Sequence, residues 1–297
     1  MMNSGKSWRP RLACEIATDR VTAARADDAQ RVSVYNARTL SPGTVVPGLA
    51  PGNVLDTEAL RLAITEALAA VRSRSKDVIA VLPDAAIRVT LLDFDTLPER
   101  EDDAAGIVRF RLKKSLPFNV DDAALSYDVH RSNGDVKVLA AVAPREVVDE
   151  YESAFRAAGY NPGVVLPSML ASLGSVDADR PTVIVKVDAT TVSVAIVDKD
   201  QVRLLRTLDN PNGPAVTGAQ IASDVYPSVV FFEDTFGAKI ERVLLAGLPN
   251  MYDISSALEA QTGVKVQSLV TSRHLETTAG DTAAPSLMAG VVGALVA

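Results

Sequence analysis

The apolar positions of the chain follow two different periods, and the switches between them mark its elements. Leu12 to Cys14 form an unbroken apolar run and Val21 to Arg25 alternate, which predicts two strands around a small polar turn. A third strand in "RVSVYNARTL" and a Pro/Gly-rich loop, "SPGTVVPGLAPGN", follow. Leu60, Ile64, Leu68 and Val71 then recur at i, i+4, i+8 and i+11 behind Asp56, the stripe and cap of a helix. "DVIAVLP" has the pattern of a buried strand and "IRVTLLDF" that of an alternating one.

From Pro98, "PEREDDAAGIVRFRLKKSLPF" places acids first and Arg109, Arg111, Lys113 and Lys114 last. That order complements a helix dipole and reads as a solvated helix, ended by Pro117. "ALSYDVHR" and "VKVLAAVA" flank an Asn-Gly pair, a hairpin signal. "PREVVDEYESAFRAAG" is a helix opened by proline and closed at Gly159. After "NPGVVLPSMLASLG" the polar "SVDADRP" marks the boundary to a second half, where "TVIVKVD", "TVSVAIV" and "VRLLRTL" form a meander. Ile221, Val225, Val229, Phe232 and Phe236 keep helical spacing, with Pro227 expected to kink the helix. "RVLLAG", "MYDISSALEAQTG" and "VKVQSL" continue as strand, helix and strand, and an Ala/Gly-rich run closes the chain as a helix. Strands and helices alternate throughout, so the fold class is α/β.

One unit occurs twice. "EIATDRVTAA", from Glu15, and "KVDATTVSVA", from Lys186, overlay without a gap, each entered by an apolar run. A repeated supersecondary unit predicts two similarly built lobes, with the cleft between them as the natural ligand site.

Composition narrows the function classes. The 297 residues suffice for two lobes, and 47% hydrophobic with 23% charged residues describe an ordered globular protein. A net charge of -7 argues against a general nucleic-acid binder, which needs clustered Lys and Arg. The single cysteine, Cys14, sits in an apolar strand and reads as a buried, reduced thiol, so a cytoplasmic protein is expected. "MMNSGKSWRPRL" has no apolar signal core, and "PSLMAGVVGALVA" is too short to span a bilayer and lacks a basic face for a membrane surface. "GKS" at 5–7 lacks the upstream strand and glycine of a phosphate-binding loop. His130 and His274 have no metal-ligand spacing, and no Gly-x-Ser-x-Gly elbow surrounds "SMLAS", so neither a metal site nor a hydrolase is expected.

The two turns, "DVIAVLP", "FRLKKSLPFNVDDAALSYDVH", "KVLAAVAPREVVDEYESAFRAAGYNPGVV" and "RVLLAGLPN" occur in an order that resembles the actin-like ATPase superfamily. Within it the chain is similar to the PilM-like type IV pilus assembly proteins, relatives of FtsA. The resemblance implies a duplicated actin-like (ribonuclease H-like) fold. Its first lobe would be 1–174 with an inserted subdomain at about 78–142, and its second lobe 181–297, reduced between Arg206 and Arg242. Nucleotide-binding members carry acid, apolar, Gly, Ser/Thr at the first turn, where the acid holds hydrated Mg²⁺ and the glycine admits phosphates. Here the positions are Glu15, Ile16, Ala17 and Thr18. The second turn prefers Asp, apolar, Gly, Ala, and here reads Lys186, Val187, Asp188 and Ala189; the adenosine-side glycine run is reduced to Gly247 before Leu248 and Pro249. These departures imply a degenerate cleft without competent ATP or Mg²⁺ binding, and so no enzyme.

What the resemblance implies instead is a cytoplasmic scaffold, peripheral at the inner-membrane face of a type IV pilus machine. Its partners would be the N-terminal peptide of a PilN-like bitopic membrane protein and, indirectly, the assembly motor ATPase, with a homo-oligomer as a further possibility. The peptide groove would lie between the first-lobe core and the insertion, with Leu116 and Phe118 as lining residues or, alternatively, core anchors. Two other readings remain: a working actin-like ATPase or kinase, and a GspL-like type II secretion protein, which would continue into a transmembrane helix.

Overall fold

Every side chain of β1 (Leu12–Ile16) is buried, because β1 is the middle strand of a sheet covered on both faces. In the computed structural model, which describes residues 9–28, 31–132, 135–276 and 283–296, β1 pairs antiparallel with β2 (Arg20–Ala26), and β2 with β3 (Val32–Thr39). The helix α1 (Thr57–Ala70) begins where the pattern places it, with the Asp56 carboxylate accepting from the Ala59 N–H at 2.9 Å. It returns the chain to β4 (Asp77–Leu82), parallel to β1 on its other side.

The chain then leaves the central sheet. The strand β5 (Arg88–Phe94), the helix α2 (Glu101–Leu112) and the strands β6 (Ala123–Ser132) and β7 (Asp135–Pro144) form a separate unit around a three-stranded sheet ordered β5-β7-β6. The helix α3 (Arg145–Ala157) brings the chain back to β8 (Asn161–Pro167) and α4 (Ser168–Leu173), completing the first sheet as β3-β2-β1-β4-β8. Leu60, Ile64 and Leu68 of α1 and Val147, Tyr151 and Phe155 of α3 pack on one face against Leu12, Cys14 and Ile16.

The second lobe repeats this order with β9 (Thr182–Val187), β10 (Thr191–Asp198), β11 (Gln201–Asp209), α5 (Gly218–Phe236), β12 (Arg242–Ala246), α6 (Tyr252–Thr262) and β13 (Val266–Ser268), whereas the final helix α7 (Ala289–Val296), expected in this lobe, packs on β1, β2 and α4 of the first. Its sheet runs β11-β10-β9-β12-β13, the same antiparallel meander followed by parallel strands. Helices α5 and α6 cover one face through Ile221, Val225, Phe232, Ile254 and Leu258. The opposite faces of the two sheets share one apolar core, in which Ala13, Ile79 and Val81 join Ile184, Ala195 and Leu244, together with Val291, Val292 and Leu295 of α7.

One expectation needs correcting. The insertion does not start at 78: Val78–Leu82 is the parallel partner of β1, so the inserted unit begins at β5 and its sheet runs on to Pro144. The stretch from Asn161, for which the sequence pattern predicts no element, forms a strand, and its Pro162 and Gly163 are tolerated because β8 is the edge of the sheet. The helix α5 passes through Pro227 as one 19-residue element. The Asn-Gly pair of the expected hairpin and the "GKS" segment lie outside the described residues. Among the described residues, no helix is long and apolar enough to cross a membrane, and no group of His, Cys, Asp or Glu is placed to hold a metal ion.

Candidate functional site

The repeated turns close with the same backbone bond. Ala17 N–H donates to the Arg20 carbonyl at 2.9 Å, and Asp188 N–H donates to the Thr191 carbonyl at 2.8 Å. The β1–β2 and β9–β10 hairpins therefore present equivalent positions to the interlobe cleft, and there the turns meet, with the hydroxyls of Thr18 and Thr190 3.2 Å apart.

The centre of the cleft is filled by side chains. Lys186, 1% exposed, reaches across from β9 so that its Nζ lies 3.2 Å from Glu15 Oε1, and it also donates to the Asp188 carboxylate. Arg20 comes from the other lobe: its Nη2 donates to Asp188 Oδ1 at 2.9 Å and to the Gly247 carbonyl at 3.2 Å, and its Nη1 to Asp19 Oδ1 at 2.8 Å. The hydroxyl of Ser168, the first residue of α4, donates to Glu15. Asp84, in the short 3-10 turn after β4, accepts from the Met169 N–H at 2.8 Å and from Ser193 Oγ at 2.7 Å, a further link between the lobes.

Burial and charge compete in this cluster. Burial alone would pull the Lys186 ammonium down, but the carboxylates of Asp188, Glu15 and Asp84 outweigh it and hold its pKa above the ordinary lysine value. Burial would raise Asp188, yet Lys186 and Arg20 beside it bring it below the ordinary value, and Arg20 is raised in return. Asp84 is the exception: burial dominates, Lys186 offsets it only in part, and the carboxyl is pushed up to about 6.

Glu15, Ala17, Thr18, Lys186, Asp188, Ala189 and Gly247 thus belong to one cleft, as the repeat implies. Gly247 adopts φ +108°, and a Cβ there would overlap the carbonyl of Val187, so this loop is pressed onto the end of β9. Its N–H donates to the Ser286 carbonyl at 2.9 Å, and Ser286 Oγ donates to the Leu248 carbonyl at 2.7 Å. Sequence reasoning missed Arg20, Asp84 and Ser168. A signal existed for the first: an arginine opening a strand that is otherwise buried needs acceptors inside the protein.

A Mg²⁺-nucleotide does not fit this residue set. The acid that would orient hydrated Mg²⁺ is Glu15; its Oε1 is taken by Lys186 and Ser168, and its Oε2, without a hydrogen-bond partner, is buried against Gly290. Where phosphates would approach the second turn, the Asp188 carboxylate stands between two cations, and the threonines of the turns bridge the gap.

A second concavity, of about 290 Å³, separates the insertion from the first-lobe core. Ala124, Leu125 and Ser126 of β6, Arg145 and Val148 of α3 and Pro167 at the end of β8 line it. The strand β6 is the outermost of its sheet, so one edge lacks a strand partner. Leu116 and Phe118 are not among the lining residues; they pack half-buried on the insertion's own core of Leu97, Val108, Leu112 and Val138.

Two lobes of one topology, joined across paired turns, define an actin-like fold. More particularly, the chain has a PilM-like arrangement of that fold. It is similar to a chain of a PilM–PilN type IV pilus biogenesis complex, with 19% identity over 97% of this chain and 98% of that one, at a TM-score of 0.79. The cytoplasmic domain of EpsL, an inner-membrane component of the Vibrio cholerae type II secretion system, matches with 11% identity over 96% and 94% of the chains, at 0.56. The ethanolamine utilization protein EutJ of Carboxydothermus hydrogenoformans matches with 10% identity over 96% and 89%, at 0.52. No family model and no curated protein matches the sequence.

Proposed function

We propose that this chain is a non-enzymatic cytoplasmic scaffold at the inner-membrane face of a type IV pilus machine, and that it binds the N-terminal segment of a PilN-like membrane protein. The observation that carries this reading is the groove between β6 and α3, set in a PilM-like fold. Among the described residues an extended peptide has an unpaired strand edge on β6 for backbone hydrogen bonds, and an adjoining concavity lined in part by Ala124, Val148 and Pro167 for its side chains. Arg145, Asp149 and Glu152 among the lining residues offer charges of both signs for register.

The cleft supports the absence of nucleotide chemistry, because Glu15, Lys186, Asp188 and Arg20 pair with one another across it. The motor ATPase and further copies of the chain are proposed as partners that act through the same assembly. The likeness to EpsL favours a second reading, in which the chain serves a type II secretion platform. Titration of labelled N-terminal peptides from PilN-like and from secretion-type membrane proteins separates the two. The scaffold reading expects saturable binding of the PilN-like peptide, weakened about 10-fold or more by Val148→Lys at the groove wall, since the longer, charged side chain takes up groove volume and has to be desolvated when a peptide covers it. Absence of binding by the wild-type protein overturns it.

A further inference from the structure

Charges alternate across the cleft. The first lobe contributes Glu15 and Arg20 and the second Lys186 and Asp188, and they run Glu15, Lys186, Asp188, Arg20, Asp19 without two like charges in succession. The contacts from Lys186 to Glu15 at 3.2 Å, from Arg20 to Asp188 at 2.9 Å and from Arg20 to the Gly247 carbonyl at 3.2 Å all pass from one lobe to the other. So do Ser193 to Asp84 at 2.7 Å and Thr18 to Thr190 at 3.2 Å.

Glu15 and Lys186 occupy equivalent positions of the repeat. An acid at both would set two carboxylates face to face and require a cation from solution between them. A lysine at one of them makes that cation part of the chain: it costs no translational entropy to bind and does not depend on any concentration. Separation of the lobes would break these pairs and open the apolar core shared by the two sheets.

We propose that Lys186 and Arg20 form a built-in cationic bridge that holds the two lobes closed without any ligand, so that closure of the cleft is a fixed property of this chain and not a ligand-gated step. Domain closure elsewhere is a response to a ligand that bridges two halves; here the bridging groups are covalently attached. The proposal concerns the isolated protein and stands or falls independently of peptide binding.

The test measures interlobe distance. Cys14 is buried, so spin labels at Ala69→Cys on α1 and Asp234→Cys on α5, both exposed, report on the two lobes alone. The bridge expects one narrow distance distribution, unchanged by millimolar Mg²⁺-ATP. It expects Lys186→Ala to broaden and lengthen the distribution, with amides of the β1–β2 and β9–β10 hairpins exchanging about 10-fold faster or more, and propylammonium to reverse both changes by replacing the missing group. Should Lys186→Ala lose its cooperative melt, Arg20→Gln, which keeps a hydrogen-bonding side chain in the cleft, is expected to give the same broadening in a folded protein. A wild-type distribution that is broad, or that shifts with Mg²⁺-ATP, overturns the proposal. So does a wild-type distribution retained in every variant that folds.

Discussion

Glu15 and Lys186 hold equivalent positions in the two hairpins and meet across the interlobe cleft, with Lys186 Nζ 3.2 Å from Glu15 Oε1. The repeat that produces two lobes therefore also produces the contact that joins them, through one change of charge sign at one repeated position.

Lys186→Met should be strongly destabilising. It removes the cation from between Glu15 and Asp188 and leaves buried carboxylate charge uncompensated, at a cost of about 3–5 kcal/mol. Adding Glu15→Gln to Lys186→Met should recover part of that loss, because one of the stranded charges goes with it. Urea unfolding of the two single variants and the double variant measures the coupling; strict additivity of the three losses would mean that the pair does not interact.

Asp84 predicts a pH dependence of the opposite sense to that of a salt-bridged aspartate. Its folded pKa of about 6 lies above the ordinary value of 3.8, so between these values the folded chain holds a proton that the unfolded chain has released. Its contribution to stability is fully present below 3.8 and is lost as the pH rises through 6, a change on the order of 2–3 kcal/mol. Asp188, with its pKa lowered, acts in a separate window, contributing above its unfolded value and losing that contribution only in stronger acid. Stability measured from pH 7.5 down to pH 4 should therefore rise for the wild type relative to Asp84→Asn. Parallel curves would show that Asp84 does not titrate in that range.

The elements and the pairing of the two turns were legible because they rest on periodicity. The stripe Leu60, Ile64, Leu68 and the buried run of β1 each have one structural solution. The start of the insertion was misplaced because a fully apolar strand such as β4 looks the same whether it lies in the main sheet or begins a new unit; only its pairing with β1 decides. β8 was hidden by Pro162 and Gly163, which local rules read as loop and an edge position tolerates. At the site, the loss of glycine at Ala17 and Asp188 was readable, but the consequence was not. In the sequence Asp188 stands only as a replaced glycine, whereas Arg20 and Lys186 turn it into the middle of an ion-pair chain. Arg20 comes from the other lobe, and no local pattern relates the two.

Mg²⁺-ATP should leave the melting temperature unchanged. A ligand present at about 100 times its dissociation constant adds about 2.7 kcal/mol of stability, which thermal melts resolve as a shift of several degrees. Melts in buffer with and without millimolar Mg²⁺-ATP suffice, and a rise of that size would contradict an internally neutralised cleft.

Gly247→Ala should prevent stable folding although it adds only a methyl group. The backbone there has φ +108°, which an L side chain resists, and the new Cβ would run into the carbonyl of Val187, a backbone atom that cannot swing aside. The same change at Gly163, where a Cβ meets nothing within 4 Å, serves as the control and should be nearly neutral. Soluble expression and melting temperature of the two variants make the comparison; similar behaviour of both would remove the close approach as a constraint.

Phe118 and Val148 separate the core of the insertion from its groove. Phe118 packs half-buried against the insertion's apolar cluster and does not line the concavity, so Phe118→Ala should cost about 1–3 kcal/mol of stability and leave peptide affinity nearly intact in the folded protein. Val148 lines the groove at the α3 wall and is only partly packed on the first-lobe core, so Val148→Lys should reverse the ranking, with a small loss in melting temperature and a peptide affinity reduced about 10-fold or more. Affinity and melting temperature measured on both variants give four numbers, and the assignment of the groove requires that they cross. A loss of affinity confined to Phe118→Ala would instead move the peptide to the turn between α2 and β6, where Leu116 and Phe118 lie.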